Sequence, residues 1–173
     1  MQIIQMFLNE VEQEAQTTRK FLSIIPNDKF DWQPHPKSMT IRRLATHIAE
    51  LPGWIPMAIN TDELDFAQNA YKPEDLNSTD ELLAQFEKNL AAAKESLGST
   101  NEDVLAKMWI LRNGGEIYME QTKAEVVRVS ISQTIHHRAQ LGVFLRLLNV
   151  PIPGSYGPSA DELQLQHEMQ EQE

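Results

Sequence analysis

Two histidines on otherwise apolar helix faces are the residues of this sequence whose types and positions could do chemistry. His137 falls in a predicted helix from Thr122 to Asn149. It shares one face with residues at steps of three and four, namely Val126, Ser130, Gln133, Leu141, Phe144 and Leu148. His47 shares a face with Ile41, Leu44, Ile48 and Leu51. A core-directed imidazole needs a partner for its ring nitrogens, and for either histidine taken alone the general rule favours a hydrogen bond over a metal ion.

A metal site in this chain has to use nitrogen and oxygen ligands, because the sequence contains no cysteine. Structural zinc usually has four protein ligands and catalytic zinc has three, so two histidines alone are weak evidence for a divalent site. Glu50 lies one helical turn after His47. It either approaches the same site or is a solvated surface carboxylate, which is the commoner position of glutamate.

The sequence predicts four amphipathic helices, and the second of them positions His47. The first helix spans Gln2 to Ile25, with Glu14 among the charged residues off its apolar stripe. The second begins near Ser38 or Thr40, either of which can cap it. Two prolines are expected to bend or break this second helix, Pro52 and Pro56.

The third and fourth predicted helices both begin with a capping box, in which a hydroxyl and a glutamate satisfy each other's backbone N–H groups. Ser78 and Glu81 begin the third, and Thr122 and Glu125 begin the fourth. Four amphipathic helices predict an all-α four-helix bundle. Bundles build metal sites from inward-facing side chains on neighbouring helices, so the histidines of the second and fourth helices could meet there.

The connections complete the predicted architecture. Residues 60–77 form the longest irregular connection, a crossover that allows parallel neighbouring helices. An Asn-Gly-Gly between two apolar runs predicts a small ribbon, or else an ordered loop, before the fourth helix. We expect one domain over residues 1–162 and an acidic tail over residues 163–173 that is frayed or disordered.

Composition excludes several classes of function. The net charge of -10 opposes binding to a nucleic-acid backbone, which needs lysine and arginine to neutralise its phosphates. No apolar run is long enough to span a membrane and no secretory leader is visible, so we expect a cytoplasmic protein.

Two segments of the sequence resemble the signature regions of the DinB/YfiT-like family. They are LATHIAELPGW and TKAEVVRVSISQTIHHRAQLGVFLRLLNVPIPGSYGPSADE, of which VPIPGSYGPSADE is the most specific part. The resemblance covers nearly the whole chain. It implies a four-helix bundle with up-down-down-up topology, commonly a homodimer, and a divalent metal, nickel or zinc, held by three histidines.

Carried over to this sequence, the family's metal ligands fall on His47, His137 and Gln133. Gln133 stands where the family has a histidine, and its neutral amide is a much poorer ligand for zinc or nickel than imidazole. His136 projects about 100° away from His137 on a helix, so both cannot face the bundle axis. Arg138 matches a family arginine that, if buried, needs a carboxylate partner the sequence does not identify.

Two hypotheses about function follow from the resemblance. In the first, the protein is similar to metal-dependent thiol S-transferases or hydrolases that act with low-molecular-weight thiols. In the second, loss of the third histidine leaves a non-catalytic bundle, without a bound metal, that binds a small ligand or a protein partner. An apolar pocket for that ligand could use Trp54, Trp109, Tyr118 and Phe144, although core packing is the commoner role and is expected for most of them.

Overall fold

Helices make up most of the chain in this computed structural model, which describes residues 2–171. A small three-stranded sheet accompanies them. The helices are α1 Ile3–Ser23, α2 Ile41–Glu50, α3 Trp54–Asn60, α4 Thr79–Ser99, α5 Glu102–Leu105, α6 Lys123–Leu147 and α7 Ala160–Gln170. Helix α1 packs against α4 and α6, and so do α2 and α3. The helices that carry His47 and His137, α2 and α6, are therefore neighbours.

Hydroxyl side chains cap the two helices for which the sequence predicts capping boxes. Thr122 accepts the backbone N–H of Glu125, whose carboxylate accepts the Thr122 N–H, so the box at α6 is confirmed. Ser78 caps α4 by accepting the Glu81 N–H. The Glu81 carboxylate, however, accepts the N–H of Asn77, one residue earlier than a capping box requires, so that half of the prediction was wrong.

The predicted second helix is broken once rather than twice. Thr40 caps α2, and the helix ends at Glu50, before a 3-10 turn that contains Pro52. Helix α3 then continues through Pro56 without a break. The prediction of a second break was wrong because Pro56 lies in the first turn of α3, where a backbone N–H has no helical partner to lose.

The sheet contains the predicted ribbon and one strand that the sequence did not predict. Strands β2 Met108–Asn113 and β3 Glu116–Thr122 pair antiparallel across a turn in which Gly114 has a φ of +59°. Strand β1 Glu63–Asp65 pairs parallel with β2. It belongs to the connection expected to be irregular. A small apolar cluster of Ala58, Trp109 and Val126 joins the sheet to α3 and α6.

The segment after α6 contacts α1 and α6 through Tyr156 and then forms α7. A capping box of Ser159 and Glu162 begins α7, and the Asp161 carboxylate pairs with Arg146 of α6. No residue of α7 is buried. The domain boundary at residue 162 stays a prediction, and residues 172 and 173 of the expected tail lie outside the described residues. Among the described helices none is long and apolar enough to cross a membrane.

Candidate functional site

His47 and His137 lie edge to face where α2 packs against α6. Their ring centroids are 4.8 Å apart and their planes are inclined by 72°. His137 is only 9% exposed, and His47 is half-buried. The structure therefore brings together the two histidines that the sequence places on apolar faces of separate helices.

The surroundings keep both imidazoles neutral at pH 7. Burial, followed by the nearby His137 and Arg43, lowers the pKa of His47 from 6.5 to about 4. Burial also lowers the pKa of His137, although a hydrogen bond with Gln140 acts in the opposite direction. A neutral imidazole keeps a lone pair on one ring nitrogen, and that lone pair is what a metal ion binds.

The ring of His137 is oriented by a residue one turn further along α6. Its Nδ1 lies 2.8 Å from Oε1 of Gln140. Because an amide oxygen can only accept a hydrogen bond, Nδ1 carries the proton and Nε2 keeps the lone pair. This is the arrangement by which metal-ligating histidines are commonly held, with one nitrogen bonded to a protein acceptor and the other free for the ion.

Gln133, at the third ligand position, is the weakest of the three expected metal ligands. Gln133 lies one turn before His137 on α6 and is exposed to solvent. His136 is also exposed, with its ring centroid 4.9 Å from that of His137. Within residues 2–171 no three side chains of the histidine, cysteine, aspartate and glutamate types cluster as a metal site requires. The residues present therefore fit a pair of imidazole ligands and do not fit a three-histidine centre.

An open cleft of about 510 Å³ extends from His47. Its volume lies in the range of small-molecule binding sites. One part of its lining is apolar, namely Trp54, Met57, Leu64 and Phe66. Polar groups make up the rest, namely Arg43, His47, Glu50, Asn69, Tyr71, Lys72, Glu74, Gln85 and Asn89, with the backbone of Gly53.

Only one of the four aromatic residues considered for an apolar pocket lines this cleft. It is Trp54. Trp109 is fully buried and donates its indole N–H to Thr61. Tyr118 is exposed on β3, and Phe144 packs against Trp32. Trp109 and Phe144 therefore have the alternative role considered for them, core packing, and only Tyr118 has neither role.

Glu50 holds the connection between α3 and α4 against the cleft. Its carboxylate accepts hydrogen bonds from the Tyr71 hydroxyl at 2.5 Å and from the Glu74 backbone N–H at 3.1 Å. Burial, followed by this hydrogen bond to Glu50, raises the pKa of Tyr71 to about 12. Of the two positions considered from the sequence, Glu50 therefore has the first, beside the site of His47, with both of its carboxylate oxygens bonded to the connection.

Arg138 has a structural role in the core. It is 1% exposed and pairs at 2.7 Å with Glu14, which is 7% exposed. Thr18 Oγ1 accepts a further hydrogen bond from Arg138, and the Tyr156 hydroxyl donates one to Glu14. The expected carboxylate partner is therefore Glu14, and the prediction that Glu14 lies off the buried stripe of the first helix was wrong.

Arg43 is a cleft residue that the sequence reasoning did not identify. It precedes His47 by four residues on α2, so helical spacing alone places the two side chains on one face. Its guanidinium lies over the ring of Tyr71, 5.3 Å from the centroid. The four-residue separation from His47 could therefore have identified Arg43 from the sequence.

Comparisons with known proteins agree with this fold. The model of the DinB family matches residues 1–173. A solved DinB-like protein from Bacillus subtilis, YjoA, superposes with a TM-score of 0.68 at 16% identity, over 87% of this chain and 97% of that one. No curated protein matches the sequence.

Two further solved structures have descriptions that mention an activity. A mycothiol-dependent maleylpyruvate isomerase has a TM-score of 0.59 at 15% identity, over 80% of this chain and 60% of its own. YfiT from Bacillus subtilis, described as a probable metal-dependent hydrolase with an unusual four-helix bundle topology, has a TM-score of 0.65 at 11% identity, over 86% and 89% of the two chains. At these identities the similarity establishes the fold.

Proposed function

The chain belongs to the DinB family, and from that premise we propose that it resembles the family's metal-dependent thiol transferases and hydrolases, with His47 and His137 as a weak nickel or zinc site. The observation that carries the proposal is the contact of two neutral imidazoles, 4.8 Å apart, beside a cleft of about 510 Å³. A divalent ion held there supplies Lewis acidity, which lowers the pKa of a bound thiol or water and yields a nucleophile at neutral pH.

The chain's own residues have distinct parts in this proposal. His47 and the Nε2 atom of His137 are the nitrogen ligands, and Gln140 fixes the tautomer of His137. Gln133 is the third ligand only through its amide oxygen, which makes binding weak. The cleft binds the organic substrate or a low-molecular-weight thiol, and its apolar wall excludes water from one side of that ligand.

Further parts of the proposal concern the architecture and setting. The four long helical segments form an up-down-down-up bundle, the protein is a homodimer, and it works in the cytoplasm. The net charge of -10 supports the view that nucleic acid is not its partner.

A second candidate function is a non-catalytic bundle that binds a small ligand without a metal. The exposed amide of Gln133 in the third ligand position favours it. In that case the histidine pair is a polar border of the cleft, and the cleft keeps its binding role.

Metal content separates the two candidates. Elemental analysis of untagged protein exposed to nickel or zinc should find metal in the wild type, little in His47→Ala, and about tenfold tighter retention in Gln133→His, because imidazole replaces an amide. His167→Ala is the matched control, since His167 lies on the exposed helix α7. Equal metal content in the wild type, His47→Ala and His167→Ala would reject the metal site and leave the ligand-binding candidate.

A further inference from the structure

Arg43 is the one arginine of the described chain without a carboxylate partner. The sequence has seven arginines, and all lie within residues 2–171. Six pair with a carboxylate within 4.0 Å, namely Arg19, Arg42, Arg112, Arg128, Arg138 and Arg146. In a chain with 25 acidic and 15 basic residues, an arginine without such a partner needs a reason.

The position of Arg43 makes its lack of a partner costly. The side chain lines the cleft beside His47, and its Nη1 atom is buried with no hydrogen-bond partner in residues 2–171. A buried guanidinium nitrogen that has lost water without gaining an acceptor lowers the stability of the fold. Arg43 as a whole is partly exposed, so a ligand in the cleft reaches the guanidinium through its nitrogens that are not buried.

The protein holds Arg43 in place without pairing it to a carboxylate of residues 2–171. The Tyr71 ring lies against the guanidinium at 5.3 Å, an arrangement that orients the group through a cation–π interaction. Glu50, the acidic residue next to Tyr71, uses both carboxylate oxygens to bind the Tyr71 hydroxyl and the Glu74 N–H. Lys72 and Glu74 are exposed and also line the cleft, so its four charged side chains have no formal net charge, and what distinguishes Arg43 is that its guanidinium is unpaired within the described residues.

The remaining lining of the cleft defines the other half of the ligand. Trp54, Met57, Leu64 and Phe66 form an apolar wall. A guanidinium fork matches a carboxylate in geometry, and an apolar wall favours a hydrocarbon or aromatic body. We propose that Arg43 binds the carboxylate of a small organic acid whose apolar body lies against Trp54, Met57, Leu64 and Phe66. This inference rests on the proposed ligand-binding role of the cleft and specifies its ligand class.

The test compares an acid with its uncharged amide. Calorimetric titrations of metal-free protein with 3-phenylpropionate, 3-phenylpropionamide and acetate measure the contributions of the carboxylate and of the apolar body separately. The acid should bind more tightly than both the amide and acetate. Arg43→Gln should weaken binding of the acid about tenfold or more, because a charge-assisted hydrogen bond is lost, and should leave binding of the amide unchanged.

Two further variants complete the test. Arg19→Gln removes the same charge from an exposed pair with Glu87 and should bind the acid as the wild type does. Arg43→Lys keeps the charge without the fork, so it should lose less affinity than Arg43→Gln, and it also replaces that variant if Arg43→Gln fails to fold. Equal affinity for acid and amide, equal affinity in Arg43→Gln and wild type, or no binding of the acid would overturn the inference.

The outcome is independent of the metal proposal, because these titrations use metal-free protein. Binding of the acid that depends on Arg43, in a protein that binds no nickel or zinc, would reject the metal site alone. Metal binding that depends on His47, together with no effect of Arg43→Gln on the acid, would reject the organic-acid ligand alone.

Discussion

The surroundings of His47 and His137 control their protonation. His137 is buried and His47 is half-buried, and Arg43 adds a positive charge near both. Protonating either ring in the folded protein is therefore less favourable than in the unfolded chain. Because the folded state disfavours the protonated rings, the fold has a measurable dependence on pH.

Acid should destabilise the metal-free protein partly through His47. The pKa of His47 is about 4 in the folded state and 6.5 ordinarily, so between these values the unfolded chain binds more protons. The contribution of the neutral His47 ring to the free energy of unfolding is therefore fully present above pH 6.5, and it is lost as pH falls towards 4. Urea denaturation over this range should show a smaller loss in His47→Gln than in wild type. His167→Gln should follow the wild type, and identical curves for all three proteins would contradict the assignment.

The buried pair of Glu14 and Arg138 should contribute far more to stability than a surface pair on the same helix. Glu14→Gln leaves the Arg138 charge buried without a carboxylate, which should cost about 3–5 kcal/mol. Glu12→Gln breaks an exposed pair with Lys94 and should cost about 1 kcal/mol or less. Guanidinium denaturation of both variants measures the difference. Similar small losses in both would mean that Glu14 is not the partner on which Arg138 depends.

Residue-level prediction from the sequence succeeded where helical spacing governs position. Spacing placed His47 and His137 on inward faces, and the need of Arg138 for a carboxylate followed from its charge. The identity of that carboxylate did not, because Glu14 and Arg138 are 124 residues apart in sequence. Glu14 does follow Val11 by three residues and precede Thr18 by four, so the spacing alone was compatible with burial.

At the scale of elements, the connection between α3 and α4 forms part of the cleft. Strand β1 provides Leu64 of the apolar wall, and Phe66 follows it directly. Asp65 is 4% exposed and accepts the backbone N–H groups of Ala67 and Gly114. The hydrogen bond from Gly114 joins β1 to the turn between β2 and β3, and both hydrogen bonds lower the pKa of Asp65.

Removing the Asp65 carboxylate should therefore loosen the cleft wall without unfolding the helices. In Asp65→Ala, amide hydrogen exchange should become faster across residues 62–70 and at Gly114, because the carboxylate that accepts these N–H groups is lost. Exchange in α1 and α4 should not change. Asp75→Ala, at an exposed position of the same connection, is the control. Unchanged exchange in β1 would show that Asp65 does not hold the strand.

Long elements with regularly spaced apolar residues could be predicted from the sequence, and short elements could not. The long helices and their caps produce many residues at regular spacing, and an Asn-Gly-Gly identifies the ribbon. Strand β1 has only three residues, too few for a periodic pattern, and it pairs with residues 47 positions away. Its formation depends on tertiary contacts that no local pattern encodes.

At the scale of the whole molecule, the family fold is established and its reaction is a proposal. The match to the DinB family covers the whole chain. The sequence could predict that fold because the helices and the segment after α6 both match family patterns. It could not predict whether two histidines and an amide still bind an ion, since that depends on ligand distances and solvent access where α2 packs against α6.

The measurement that tests the metal site most directly is long-range proton–nitrogen NMR of the histidine rings during a zinc titration. The chain has five histidines, so each ring can be followed. We predict that Nε2 of His137 and one nitrogen of His47 shift together, while the rings of His35 and His167 do not respond. A titration in which neither His47 nor His137 shifts, or in which only exposed histidines respond, would contradict the proposed metal site.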